Sequence, residues 1–345
     1  MKGWSFVAVC AIAVALWASP SLNAAAPPTA TDHIVTTAKA FLSALDDAQR
    51  RKVMFAFDDA QQRTRWSNFP VSFVPRGGIS LMEMNAAQRS AAMTLLAAAL
   101  SPTGFKKIQQ IMDGDEFLKN DGNGGRKPMF GRELYYLSIL GTPSEKEPWM
   151  LQFGGHHLAL NITIAGDRGV LTPTLTGAQP ALYTMNGKTV RPLAAESDKA
   201  FALLQSLDAK QRDQAVLKYR VADLVLGPGQ DGKTIQPEGL RASAMNPEQR
   251  TALLDVISEW AGILQQEAAA ARMAEIEASL DETWFAWSGA TDVAPGSNIT
   301  AYYRIQGPTL LIEYAPQRLG GDPAMHVHTM YRDPTNDYGR KLVAK

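Results

Sequence analysis

Four short polar blocks along the chain are each followed by apolar residues at helical spacing. The blocks are Leu45-Asp46-Asp47-Ala48-Gln49-Arg50, Met84-Asn85-Ala86-Ala87-Gln88-Arg89, Leu207-Asp208-Ala209-Lys210-Gln211-Arg212 and Met245-Asn246-Pro247-Glu248-Gln249-Arg250. In each, an Asp or Asn stands where a helix N-cap accepts a backbone N–H, and a Gln three residues on completes a capping box. Pro247 takes the first helical position, where an N–H has no partner anyway. Ala92, Leu95, Leu96 and Leu100, and likewise Leu253, Val256, Ile257 and Trp260, then form the stripe of a helix with one buried face. Residues 158–164 and 309–315 instead read as strands, and the Gly/Asp turns after them as hairpin connections.

The blocks fall into two almost equally spaced pairs. Lys39-Ala40-Phe41 precedes the first block as Lys199-Ala200-Phe201 precedes the third, and each second helix leads toward an aromatic segment, Tyr135-Tyr136 or Trp284-Phe285. The pattern predicts an α+β protein of two similar halves, 25–190 and 191–345, each a helical part followed by a β part, packed as one unit. If a twofold axis relates the halves, their β segments join in one antiparallel sheet with helices on one side or at its ends.

Residues 1–24 have one early lysine, an apolar core, Pro20 and small residues before Ala24. That is the pattern of a secretory signal peptide, and it predicts export to a periplasm or medium after cleavage near Ala24, with no transmembrane anchor in the mature chain. The one cysteine, Cys10, lies inside this segment, so no disulfide staples the mature fold. Lysine plus arginine and aspartate plus glutamate are equal at 34 each. A neutral chain without a basic run excludes nucleic acid as a partner and leaves a small-molecule substrate or ligand. Oligomeric state is not readable.

Four of the five histidines sit in two β segments. His326 and His328 are two apart, which on a strand points both imidazoles to one face, within reach of a single ion. His156 and His157 are adjacent, so on a strand only one of them joins a given site, and His157 shares the more polar face with Asn161 and Thr163. Neutral imidazoles suit zinc, copper or iron, and a divalent transition metal is the cofactor these residues imply. Glu313 interrupts the apolar run 309–315, where a buried carboxylate must be paired, protonated or bound to a cation. It is a candidate fourth ligand or general base, or a partner of Arg304, Arg318 or Arg332. The turn-rich stretch 331–339 offers Arg332 as a clamp for a substrate carboxylate, with Asp333 or Asp337 to orient a ligating imidazole. No phosphate loop, G-x-S-x-G elbow or H-E-x-x-H motif is present.

Tyr135-Tyr136 through Gly141-Thr142-Pro143-Ser144, Pro148-Trp149 with the stretch from Phe153 to Asn161, and the His326-x-His328 to Tyr338-Gly339 tail resemble the family called domain of unknown function 3500. The resemblance covers nearly the whole mature chain and implies no activity. The residues point to an exported metal-binding protein, a metal-dependent enzyme of hydrolytic or oxidative type, with His157, His326, His328 and His156 as candidate ligands. The alternatives are a non-catalytic periplasmic or secreted small-molecule-binding protein and a structural metal site.

Overall fold

The computed structural model describes Met1 and residues 29–120, 129–318 and 321–343. The signal-like segment, apart from Met1, and Gly320, in the turn expected after 309–315, lie outside the described residues. Among the described residues no helix is long and apolar enough to cross a membrane.

The helices are α1 (Ala30–Ala44), α2 (Asp47–Val53), α3 (Ala60–Arg63), α4 (Ala86–Ala99), α5 (Pro102–Asn120), α6 (Ala194–Ser206), α7 (Ala209–Ala215), α8 (Pro247–Ala261), α9 (Gln266–Ala278) and α10 (Arg340–Val343). The strands of the first half are β1 (Met54–Phe55), β2 (Ile79–Ser80), β3 (Tyr136–Leu140), β4 (Trp149–Gly155), β5 (Leu158–Ala165), β6 (Arg168–Leu171) and β7 (Thr174–Ala178). A small hairpin follows, β8 (Tyr183–Met185) and β9 (Lys188–Val190). Then come β10 (Leu240–Arg241), β11 (Trp284–Ser288), β12 (Tyr302–Gly307), β13 (Leu310–Pro316) and β14 (Val327–Arg332).

All four polar blocks cap helices as expected. Asp46, Asn85, Asp208 and Asn246 accept the backbone N–H of Gln49, Gln88, Gln211 and Gln249, and each Gln closes its capping box. The glutamines also tie helices together. Gln49 Nε2 donates to Gln88 Oε1 at 3.2 Å and Gln211 Nε2 to Gln249 Oε1 at 2.9 Å, while Gln88 and Gln249 reach back to the carbonyls of Ala44 and Ser206. Sequence-distant helix starts are thus fastened by the side chains that cap them, in the same way in each half.

One twelve-stranded sheet spans both halves in the order β1-β3-β4-β5-β7-β14-β13-β12-β11-β10, with β2 beside β3 and β6 beside β5. It is antiparallel as expected, except that β1 runs parallel to β3. The halves meet at β7 and β14, where Gly177 pairs with His328 and Thr176 with Thr329. Directly opposed residues share a face, so the register sorts the sheet into two sides. One side carries Leu151, Phe153, Leu160, Ile305, Tyr303 and Tyr314 and packs on the helices. The other carries a row running from Ser138 through Gln152, Leu175, Met330 and Glu313 to Arg304.

That second side is covered by two long segments in corresponding places, 56–78 between α2 and β2, and 216–239 between α7 and β10. Trp66 and Leu224 pack on Leu175 and Met330 there, and the carbonyl of Arg63 accepts from Gln152. Both faces of β13 are therefore buried, which explains why 309–315 reads as a nearly unbroken apolar run. Connections of this length lying over a sheet are where function is commonly carried.

Candidate metal centre

His326 immediately precedes β14 and His328 lies within it, and both point to the segment-covered face, as their two-residue spacing requires. His156 and His157 are not on a strand. They form the two-residue turn between β4 and β5, and His157 takes the left-handed conformation with φ 58°. The strand-alternation argument therefore does not apply, and it is the turn that brings His157 beside His326 and His328. The turn is pinned on every side. Asn68 O accepts from His157 N at 3.2 Å, His157 O accepts from Gly177 N at 2.7 Å, and His156 O accepts from the Tyr135 hydroxyl at 2.8 Å.

The turn sends the His157 ring across β7 to the histidines of β14. The crossing point is Gly177, where an added Cβ would lie 2.8 Å from Val327 O and 3.1 Å from the His157 ring. A side chain there would occupy the path of the imidazole.

Three Nε2 atoms converge as a result. His157 and His326 are 3.0 Å apart, His157 and His328 3.2 Å, and His326 and His328 3.1 Å. All three residues are buried, and they are the group among the described residues that could hold a metal ion. These separations would let all three nitrogens bond one ion at about 2.0–2.1 Å. Burial first, and then the neighbouring histidines, hold His157 well below the ordinary imidazole range, so its ring is neutral and its lone pair free to ligate.

The Asp223 carboxylate, from the segment over the sheet, lies 3.5 Å from His328 Nδ1. Burial would raise this carboxyl, but hydrogen bonds from His328, the Leu224 N–H and Gln317 hold it below its usual value. Asp223 thus stands where a carboxylate orients a ligating imidazole through its second nitrogen. Asn68 brings its Nδ2 to 3.4 Å from Nε2 and 3.5 Å from Nδ1 of the same ring. The segment carrying Asn68 is stapled by Arg76, whose guanidinium donates to Ser67 O and Phe69 O at 2.7 Å and to Gly155 O at 3.0 Å. Burial pushes that guanidinium down to about 10.

The remaining sequence candidates serve elsewhere. His156 is turned away from the nitrogen cluster: its Nδ1 meets Asp115 Oδ1 at 2.6 Å, and its ring packs at a tilt against His157 with centroids 3.8 Å apart. Glu313 shares the face of His328, but its oxygens accept from Val225 N, Leu226 N and the Tyr302 hydroxyl at 2.7–2.8 Å. It anchors the covering segment, and burial raises its carboxyl. Arg332 is fully engaged with Leu226 O, Gly227 O, Asp231 and Asp337, beneath the Trp66 ring, and offers no free fork to a substrate. Asp337 is its partner, and Asp333 faces Arg272 at 3.4 Å and holds Thr335, so neither orients a histidine. Asn68, Arg76, Asp223 and Gly177 escaped the sequence reading. The one local signal near any of them is the aromatic-rich stretch 65–70, which holds Asn68.

The family model described as protein of unknown function (DUF3500) matches residues 28–340. The chain belongs to this family. The DUF3500 match spans both halves of the sheet and every residue of the histidine cluster. No curated protein and no solved structure matches the chain.

Proposed function

We propose that this DUF3500 member is an exported, metal-dependent enzyme whose centre is a divalent transition ion held by His157, His326 and His328. The convergence of three buried, mutually adjacent Nε2 atoms carries the reading. Imidazole nitrogens that aim their lone pairs at one point repel each other, and a cation at that point turns the repulsion into bonding. No further His, Cys, Asp or Glu joins the cluster among the described residues, which fits an ion that keeps a position open for water or substrate. Zinc there would activate water for hydrolysis, and copper or iron would support oxidative chemistry. The substrate is a small molecule, because the covering segments leave the three histidines at most 7 % exposed. Export is supported by the signal-like pattern of 1–24, and the recurrence of helix, cap and strand in the two halves supports an ancestral duplication.

The test is removal and return of the ion. Chelation should abolish an activity that one of zinc, copper(II) or iron(II) restores, and the same treatment of His326→Ala/His328→Ala should restore nothing. Metal that binds tightly but is never required for turnover would make the centre structural. N-terminal sequencing of the protein recovered outside the cytoplasm should begin near Ala25, and an intact Met1 there would contradict cleavage.

A further inference from the structure

We propose that Asn68 is the residue that recognises whatever oxygen ligand the metal takes up at its open position, through an N–H donated from Nδ2. The inference rests on the metal reading above and deepens it.

The position of the amide is the starting point. Nδ2 is almost equidistant from the two nitrogens of the His328 ring, at 3.4 and 3.5 Å, so it lies abreast of the carbon between them. Neither nitrogen can accept its hydrogen. Nε2 directs its lone pair at the point shared with His157 and His326, and Nδ1 faces the Asp223 carboxylate, to which it must donate. The amide N–H therefore needs another acceptor.

An atom so placed lies about 4 Å from an ion bonded to Nε2 at about 2.0–2.1 Å. That is too far to ligate, yet it suits donation to an oxygen which is itself bound to the ion, since N–H···O contacts run about 2.7–3.2 Å. A donor aimed at a metal-bound oxygen stabilises negative charge there in a water-poor site, the role of an oxyanion-binding group.

The amide is held for this task by its backbone. Asn68 O accepts from His157 N, which fixes the residue to the ligand-bearing turn. Arg76 clamps the carbonyls on either side of it, at Ser67 and Phe69, and joins them to Gly155 at the end of β4. The ligand turn and the amide thus move as one body. The chemical class this selects is an anionic oxygen donor: hydroxide, a carboxylate or an enolate-like oxygen.

The experiment uses the cobalt(II)-loaded full chain, with acetate as the probe and the visible cobalt spectrum as the readout. Wild type should bind acetate with a spectral change. Asn68→Ala should still hold its cobalt but bind acetate about tenfold or more weakly, the loss of one charge-assisted hydrogen bond. Asn68→Asp, which keeps the shape and removes the donor, should bind acetate no better than Asn68→Ala. Acetate affinity equal to wild type in both variants, or tighter in Asn68→Asp, overturns the assignment while leaving the metal site intact. Failure of the wild-type chain to take up cobalt removes the site reading itself.

Discussion

His157 Nε2 and His326 Nε2 lie 3.0 Å apart although 169 residues separate them in the chain. The contact exists because β7 and β14 pair across the junction of the two halves, and because the β4–β5 turn reaches over β7 at a glycine. A site built this way depends on residues that are not ligands, and several consequences can be measured.

Gly177 should be the most sensitive of these. Gly177→Ala places a methyl group against Val327 O and the His157 ring, so the ring or the strand must shift. The expected outcome is a chain that folds, at a cost of about 1–3 kcal/mol for overpacking, but takes up metal at least about tenfold more weakly than wild type, because outlying positions commonly change metal affinity by that much. Titration with zinc against a chromophoric chelator reads it. Wild-type affinity would show that the crossing is not tight.

Arg76 should act on the whole covering segment. Removing it leaves the carbonyls of Ser67, Phe69 and Gly155 without their donor, and Arg76→Ala should lower stability by about 3 kcal/mol. Arg76→Lys should recover part of this, since all three carbonyls accept from the one nitrogen Nη2 and an ammonium also offers three N–H groups. Urea unfolding of the three proteins decides it.

Glu313 separates anchoring from ligation. If it only holds residues 225 and 226 through their backbone N–H groups, Glu313→Ala should cost about 2–3 kcal/mol of stability and retain bound metal at the wild-type ratio. Loss of the metal at unchanged stability would instead return Glu313 to the ligand set.

Much of the architecture was legible because it is written in local rules. The N-caps at Asp46, Asn85, Asp208 and Asn246 need only a side chain and the backbone three residues away, and the i, i+2 spacing of His326 and His328 fixes their shared face. What could not be read needed the register of distant strands. The place of Asp223 beside His328, in the role expected of Asp333 or Asp337, depends on how a loop drapes over the sheet. The same is true of Glu313, whose face was readable and whose partners in 225–226 were not. His156 and His157 looked like strand residues because Leu158 to Asn161 continue the pattern, and nothing local marks His157 for a positive φ.

Glu196 supplies a pH dependence away from the histidine cluster. Its carboxylate is completely buried and ion-paired to Lys107 at 2.5 Å, joining α5 of one half to α6 of the other. Burial raises its pKa, with Lys107 acting in the opposite direction. A carboxyl whose folded value exceeds its unfolded one contributes stability fully below the unfolded value, about 4.3, and loses that contribution as pH rises through the folded value. Relative to wild type, Glu196→Gln should therefore gain stability as pH increases from about 4 to 7. Melting curves across that range would contradict this if the difference between the two proteins stayed constant or moved the other way.

The central claim is that three histidines from two ends of the chain hold one ion, and metal content tests it most directly. The chain from residue 25 onward, purified without a histidine tag, should contain about one equivalent of a transition metal. His326→Ala and His328→Ala should each lose it, together with the melting-temperature gain that a ligand of the folded state provides, and His33→Ala, on an exposed residue of α1, should lose neither. A metal-free wild-type protein that stays metal-free after incubation with zinc, copper and iron salts, and melts exactly as its double mutant does, would contradict the account.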